Sequence, residues 1–86
     1  MNGAATQIAS REFDHDFFRL PASVQSVVQR KLDEMGQRLS MFPHYRLTGS
    51  DKYRLRVGDY RIIYRFDSMK DEIYLIAIGH RRDIYK

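Results

Sequence analysis

Eighty-six residues make one small domain, of a size that buries only about 60% of the surface its unfolded chain exposes, so its core has to be economical. The absence of cysteine removes both a disulfide framework and a thiolate metal site, and no apolar run is long enough to span a bilayer. The net charge of +4 is unevenly spread: residues 1–43 carry five Lys/Arg and five Asp/Glu, residues 44–86 ten and six, so the positive excess lies in the second half and favours a polyanionic partner there. Met1 to Ser10 lacks the basic start and apolar stretch of a secretory signal. The expectation is a soluble protein of a reducing cytoplasm, with no membrane partner.

Residues 1–5 read as a loose stub, and Thr6 to Ala9 as a short strand. Ser10 suits the N-cap of a helix in which Phe13, Phe17 and Leu20 recur at i, i+4 and i+7 along one face. Leu20-Pro21 ends that helix and opens a second, where Val24, Val27, Val28, Leu32, Met35 and Leu39 keep a period near 3.6 until Phe42-Pro43. The spacing predicts an antiparallel helical pair with a tight joint. His15 and His44 sit in polar contexts and read as surface residues.

After Thr48-Gly49-Ser50-Asp51 the pattern changes to alternation. Tyr53, Leu55 and Val57 alternate with Arg54 and Arg56, Gly58-Asp59 intervenes as in a type II′ hairpin, and Tyr60, Ile62, Tyr64 and Phe66 alternate with Arg61, Ile63 and Arg65. A second turn over Asp67 to Asp71 leads to Ile73–Ile78, apolar on both faces and so an internal strand. One α+β domain over residues 1–86 results, in the order β-α-α-β-β-β, with two helices on a four-stranded, mainly antiparallel sheet.

A two-residue turn fixes the hairpin register, setting Arg56 opposite Arg61 and Lys52 opposite Arg65. One face is then apolar, while the other gathers Lys52, Arg54, Arg56, Arg61 and Arg65 around a single Ile63. Like charges directly opposed destabilise a sheet by up to roughly 1 kcal/mol per pair. Long arginine stems shielding the outer face are the bland explanation. A face awaiting phosphates is the sharper one, because the guanidinium fork fits them and their charge relieves the repulsion. Arg81, Arg82 and Tyr85 follow a strand that pairs beside this hairpin, so they reach its rim.

The run Tyr53-Arg54-Leu55-Arg56-Val57-Gly58-Asp59-Tyr60-Arg61-Ile62-Ile63-Tyr64-Arg65, followed after one strand by His80-Arg81-Arg82-Asp83-Ile84-Tyr85, resembles the signature of the RelE/ParE toxin superfamily. Leu20-Pro21 and Leu47-Thr48-Gly49 are similar to it as well. The resemblance implies two helices packed on a twisted sheet and a cognate antitoxin that wraps the toxin. For RelE-like members it implies cleavage of mRNA in the ribosomal A site, with roles that fall here on Arg54, Arg56, Arg61, Arg81 and Tyr85. Arg54 and Arg56 stand where the best-known members have lysines, and His80 where they have another basic residue.

No carboxylate or histidine cluster has metal-ligand spacing, so the simplest expectation is metal-independent cleavage without a cofactor, the RNA 2′-hydroxyl attacking the adjacent phosphorus. Arg61 and Arg81 suit the task of holding developing charge. Arginine stays protonated and makes a poor general base. His80 has a reference pKa close to neutrality and is proposed as acid or base, with strand-ending as its structural alternative. Tyr85 is set to stack on a base, orient the 2′-hydroxyl or share the proton transfer. The competing functions are a ParE-like gyrase inhibitor of the same fold and a noncatalytic RNA-binding module whose basic face is a phosphate platform.

Overall fold

Ser10 shows how sequence becomes architecture here. In the computed structural model, which describes residues 4–82, its hydroxyl accepts the Phe13 N–H at 3.0 Å and donates to the Ile76 carbonyl at 2.8 Å. Its own N–H donates to the Leu75 carbonyl at 2.9 Å. One short side chain thus starts helix α1 (Arg11–Phe17) and ties strand β1 (Thr6–Ala9) to the strand formed last, β5 (Glu72–His80). It does so at an irregularity: Ile63 pairs with Ala77 but Tyr64 with Leu75, so Ile76 is an extra residue in β5.

Helix α2 (Ala22–Gln37) begins after Pro21, whose fixed φ of −54° suits a helix entry but whose side chain caps nothing. Gln25 compensates by donating to the carbonyls of Leu20 and Phe18 at 2.8 and 3.3 Å, which secures the joint with α1. Val28, Leu32 and Met35 are the buried stripe. They meet Phe13 and Phe17 from α1 and Leu55, Ile62, Tyr64, Ile73, Leu75 and Ile78 from the sheet in one continuous core. Burying each such side chain fully contributes roughly 1.5–3 kcal/mol.

The sheet has five strands in the order β1-β5-β4-β3-β2, where β2 is Tyr45–Arg46, β3 Tyr53–Val57 and β4 Tyr60–Asp67. Four strands were expected; the addition is β2, two residues long and so below the length at which alternation can be read. It pairs with Arg54 and Tyr53 across a loop closed by the Leu47 N–H donating to the Lys52 carbonyl at 2.9 Å. β1 runs parallel to β5, and the remaining pairings are antiparallel. The chain is an α+β fold, and no helix among the described residues is long and apolar enough to cross a membrane.

Two local expectations are corrected. Ala5, assigned to a loose stub, is buried, and its N–H donates to the Gly36 carbonyl at 2.9 Å. His44, read as a surface residue, is instead held on both sides. Its ring stacks on Phe66 at 4.0 Å between centroids, Nε2 lies 2.7 Å from the Leu39 carbonyl, and Nδ1 lies 2.5 Å from the Tyr64 hydroxyl. A carbonyl only accepts, so Nε2 carries the proton and Nδ1 accepts from Tyr64. The pairing was invisible in the sequence because its partners lie five and twenty residues away.

Burial pushes the Tyr64 hydroxyl well above the 10.0 of an ordinary tyrosine, with the neighbouring Tyr53 adding to the effect. The folded state therefore holds this proton more tightly than the unfolded chain. Its contribution to stability is complete below pH about 10 and is lost as pH rises beyond that. Tyr64→Phe is expected to lower stability near neutrality by about 1–3 kcal/mol, because Nδ1 of His44 loses its donor, and to flatten the decline above pH 10. Urea denaturation at pH 7 and at pH 10.5 checks both effects.

Candidate functional site

Gly58, with a φ of 58°, supplies the left-handed residue that the hairpin turn needs, and Asp59 follows without a positive φ, as a type II′ turn requires. The register is the one anticipated: Val57 opposite Tyr60, Arg56 opposite Arg61, Leu55 opposite Ile62 and Arg54 opposite Ile63. Because alternate residues share a face, Leu55 and Ile62 go to the core, and Arg54, Arg56, Arg61 and Ile63 to the outer face of the sheet. Ile63 is buried yet stands outside the core cluster.

Arg61 is the unexpected member. Arg54, Arg56 and Arg65 are exposed, whereas Arg61 is only 6% accessible. It faces Arg56 on one side and Gly79 on the other. Glycine projects no side chain over its stem. Among the described residues Arg61 has no carboxylate partner, and its side-chain bond is a 3.4 Å contact from Nη1 to the Tyr60 carbonyl. No buried side-chain nitrogen among the described residues lacks a partner. A stem this enclosed with an unbalanced charge at its tip costs stability that an anion would return.

Arg81 joins this face. Its N–H donates to the Asp59 carbonyl at 2.8 Å, carrying the β4–β5 ladder one step past the Tyr60–His80 pair. It lies two residues beyond Gly79, so it stands diagonally across from Arg61 at a Cα spacing of roughly 7–8 Å. Arg81 and Arg82 are both exposed and, with Arg54 and Arg56, make no ion pair among the described residues.

Lys52 and Arg65 behave differently. Lys52 lies just before β3, and the ladder there closes with Tyr53 opposite Tyr64. Asp51 sits between the two cations, 3.3 Å from Arg65 Nη1 and 4.0 Å from Lys52 Nζ. Arg65 holds the Asp51 carboxyl below the usual carboxylate range. The second of the two expected like-charge oppositions is therefore relieved by an intervening acid, and only Arg56–Arg61 stands unrelieved.

His80 is placed with Tyr60 on the side of Ile62 and Ile78, opposite to Arg61, its ring edge-on to Tyr60 at 5.8 Å. Its Nδ1 accepts the Arg82 N–H at 3.3 Å, so it shapes the turn that presents Arg81 and Arg82. Its path to the arginines runs round the end of the sheet. Tyr85 lies outside the described residues. Among the described residues no three His, Asp or Glu side chains gather as a metal site.

Sequence reasoning missed a cleft of about 440 Å³ at the other margin of the arginine face, lined by Lys31, Phe42, Pro43, Tyr45, Arg54 and Arg56 among others. It opens where β2 stops and leaves the edge of β3 beyond Arg54 without a neighbouring strand. Nothing local to Tyr45 or Phe42 said that they would border it.

A two-helix, five-strand α+β fold with a basic outer face defines the class of small toxin domains to which the comparisons point. Residues 8–85 match the family described as the ParE toxin of type II toxin-antitoxin systems, and the chain belongs to that family. Among solved structures it is similar to the toxin-antitoxin complex RelBE2 of Mycobacterium tuberculosis, with a TM-score of 0.75, 19% identity and coverage of 96% of this chain and 98% of that one. The isolated RelE toxin of E. coli gives 0.76 at 19% identity, covering 95% and 92%. The archaeal RelE-RelB complex of Pyrococcus horikoshii gives 0.74 at 20%, covering 93% and 98%. At these identities the structures establish a shared fold. No curated protein matches the sequence.

The opposition of Arg56 and Arg61 makes a direct prediction. Arg56→Thr is expected to raise stability by a few tenths of a kcal/mol at low ionic strength, a gain that shrinks as salt screens the repulsion. Urea midpoints at 20 and 500 mM salt measure it. A salt-independent change would mean that the pair is not under electrostatic strain.

Proposed function

We propose that this chain is the toxin of a type II pair and acts as a ribosome-dependent endoribonuclease that inhibits translation by cutting mRNA. The observation that carries the reading is Arg61: an enclosed guanidinium, opposed by Arg56, diagonal to Arg81, and without a carboxylate among the described residues. Preorganised cations of this kind stabilise charge that develops in a transition state, at no cost of reorganisation during the reaction. A second cation in the same position would be poor design for stability alone.

In the proposed reaction the 2′-oxygen forms a bond to the adjacent phosphorus as the bond from phosphorus to the 5′-oxygen breaks. The products are a cyclic phosphate and a free 5′-hydroxyl. Arg54 and Arg56 bind the flanking phosphates, with Arg82 at the margin, while the charges of Lys52 and Arg65 are taken up by Asp51. Arg61 and Arg81 hold the extra negative charge. One group takes the 2′-hydroxyl proton and another protonates the leaving oxygen; Tyr85 is the first candidate, and His80, on the side of the sheet opposite Arg61, serves only if it reaches the phosphate round the end of the sheet. The route uses no metal or cofactor.

The partner is a cognate antitoxin, alongside ribosome and mRNA. Several relatives of the same fold are RelB-bound complexes, and the cleft beside Arg54 combines cations with an apolar floor of Phe42, Pro43 and Tyr45, which suits an acidic amphipathic segment. The matching family is described as the ParE toxin, which keeps one other reading in play, the ParE-like inhibition of DNA gyrase that the sequence resemblance also implies.

Arg61→Ala and Arg81→Ala are each expected to fold and to cut ribosome-bound mRNA about a hundredfold more slowly or worse. Primer extension in a reconstituted translation reaction reads this out. Undiminished cleavage by both variants would sink the assignment, and loss of gyrase supercoiling with intact mRNA would favour the ParE-like activity. In single-turnover reactions, His80→Gln and Tyr85→Phe test the two candidates separately, and an unchanged rate removes that residue from the mechanism.

A further inference from the structure

The outer face of the sheet continues past the arginines. Four residues along β4 from the Arg61–Gly79 pair, Arg65 stands opposite Tyr74 of β5, and Tyr74 stands beside Ile8 of the edge strand β1. At about 3.3 Å per residue, this second station lies roughly 13 Å from the first. Its chemistry is different. The charge of Arg65 is balanced by Asp51, and one step further Asp67 faces Glu72, so this end of the face repels phosphate.

What the second station offers is an anchored aromatic ring. The Tyr74 hydroxyl donates to Glu72 Oε1, two residues back on the same strand and the same face, so the ring leans along β5 and cannot swing freely. Ile8, 42% exposed, borders it on β1, and Ala77 and Ile63 lie between it and the arginines. A place that turns phosphate away and offers a fixed ring with apolar neighbours receives a flat, uncharged group. Resting on the nuclease reading above, we infer that Tyr74, bordered by Ile8 and opposed by Arg65, is a stacking platform for an unpaired base of the RNA whose phosphates the arginines hold.

This division of labour follows from what each part of a nucleic acid needs. Phosphates go to unpaired guanidinium groups, and an unstacked base regains a partner on an aromatic face whatever its sequence. Tyr74 would then set how far the strand is stretched across the sheet, and so which phosphate arrives at Arg61. It is a positioning residue with no part in the bond-making step.

The test uses ribosomes programmed with an mRNA whose exposed codons carry 2′-deoxy sugars, which cannot be cut, and in which single bases are removed one position at a time. Binding of the full chain is measured by titration. Wild type is expected to lose affinity roughly five- to hundredfold when one particular base is missing, the range seen for a base stacked on an aromatic side chain. Tyr74→Ala should show the same loss on intact mRNA and no further loss on removal of that base, and Tyr74→Phe, which keeps the ring, should recover it. If no single base matters to wild type, or if Tyr74→Ala still loses affinity on removal of the same base, the platform is overturned. That result is separable from failure of the nuclease reading, in which Arg54→Ala and Arg56→Ala would leave affinity for the programmed ribosome unchanged.

Discussion

The structure depends on one constraint, the two-residue turn at Gly58-Asp59. With no slack in the connection, the register of β3 on β4 has no freedom, and every side chain on both strands is committed to a face. A slip of β3 by one residue would send Leu55 to the outside and bring Arg54 and Arg56 against the core of Leu32 and Met35. The same turn that seals the core therefore forces two arginines into opposition. The repulsion is tolerated because the apolar side of the same strands contributes several kcal/mol to hold them in place.

Around this hairpin the remaining elements divide into those that fix it and those that extend its outer face. Ser10 fastens β1 and α1 to β5 at the irregularity beside Ile76. His44 pins the segment after α2 to Tyr64, so the wall of the cleft next to Arg54 is attached to the core rather than left as a loop. β5 adds Arg81 at one end and Tyr74 toward the other, which turns a basic patch into a surface with a graded composition.

The sequence was most legible where a feature repeats along the chain. Alternation over Tyr53–Phe66 gave the hairpin, its register and its basic face, and the 3.6 period gave α2 with Val28, Leu32 and Met35 inward. Legibility failed where a feature depends on distant neighbours. β2 is too short for any period, the two-sided grip on His44 joins separate elements, and the acid that relieves Lys52 and Arg65 sits in a loop. The enclosure of Arg61 was hidden for a similar reason, since Arg61 lies on β4 between β3 and β5, and strand neighbours distant in sequence flank it on both sides. His80 was expected near the arginines from its position in the chain, but a one-residue step along a strand changes the side of the sheet.

The parallel pairing of β1 with β5 has a consequence for how the chain comes into being. The first strand finds its neighbour 66 residues downstream, in the last strand among the described residues. Contacts of such long sequence separation form late, after the local hairpin and helices. Until β5 emerges, Arg61 has no Gly79 beside it, β4 has an open edge, and the N-terminal residues have nothing to dock on. The surface that gathers the arginines is thus completed only once β5 has been made and has docked beside β4, and a chain that stops short of it does not carry that surface.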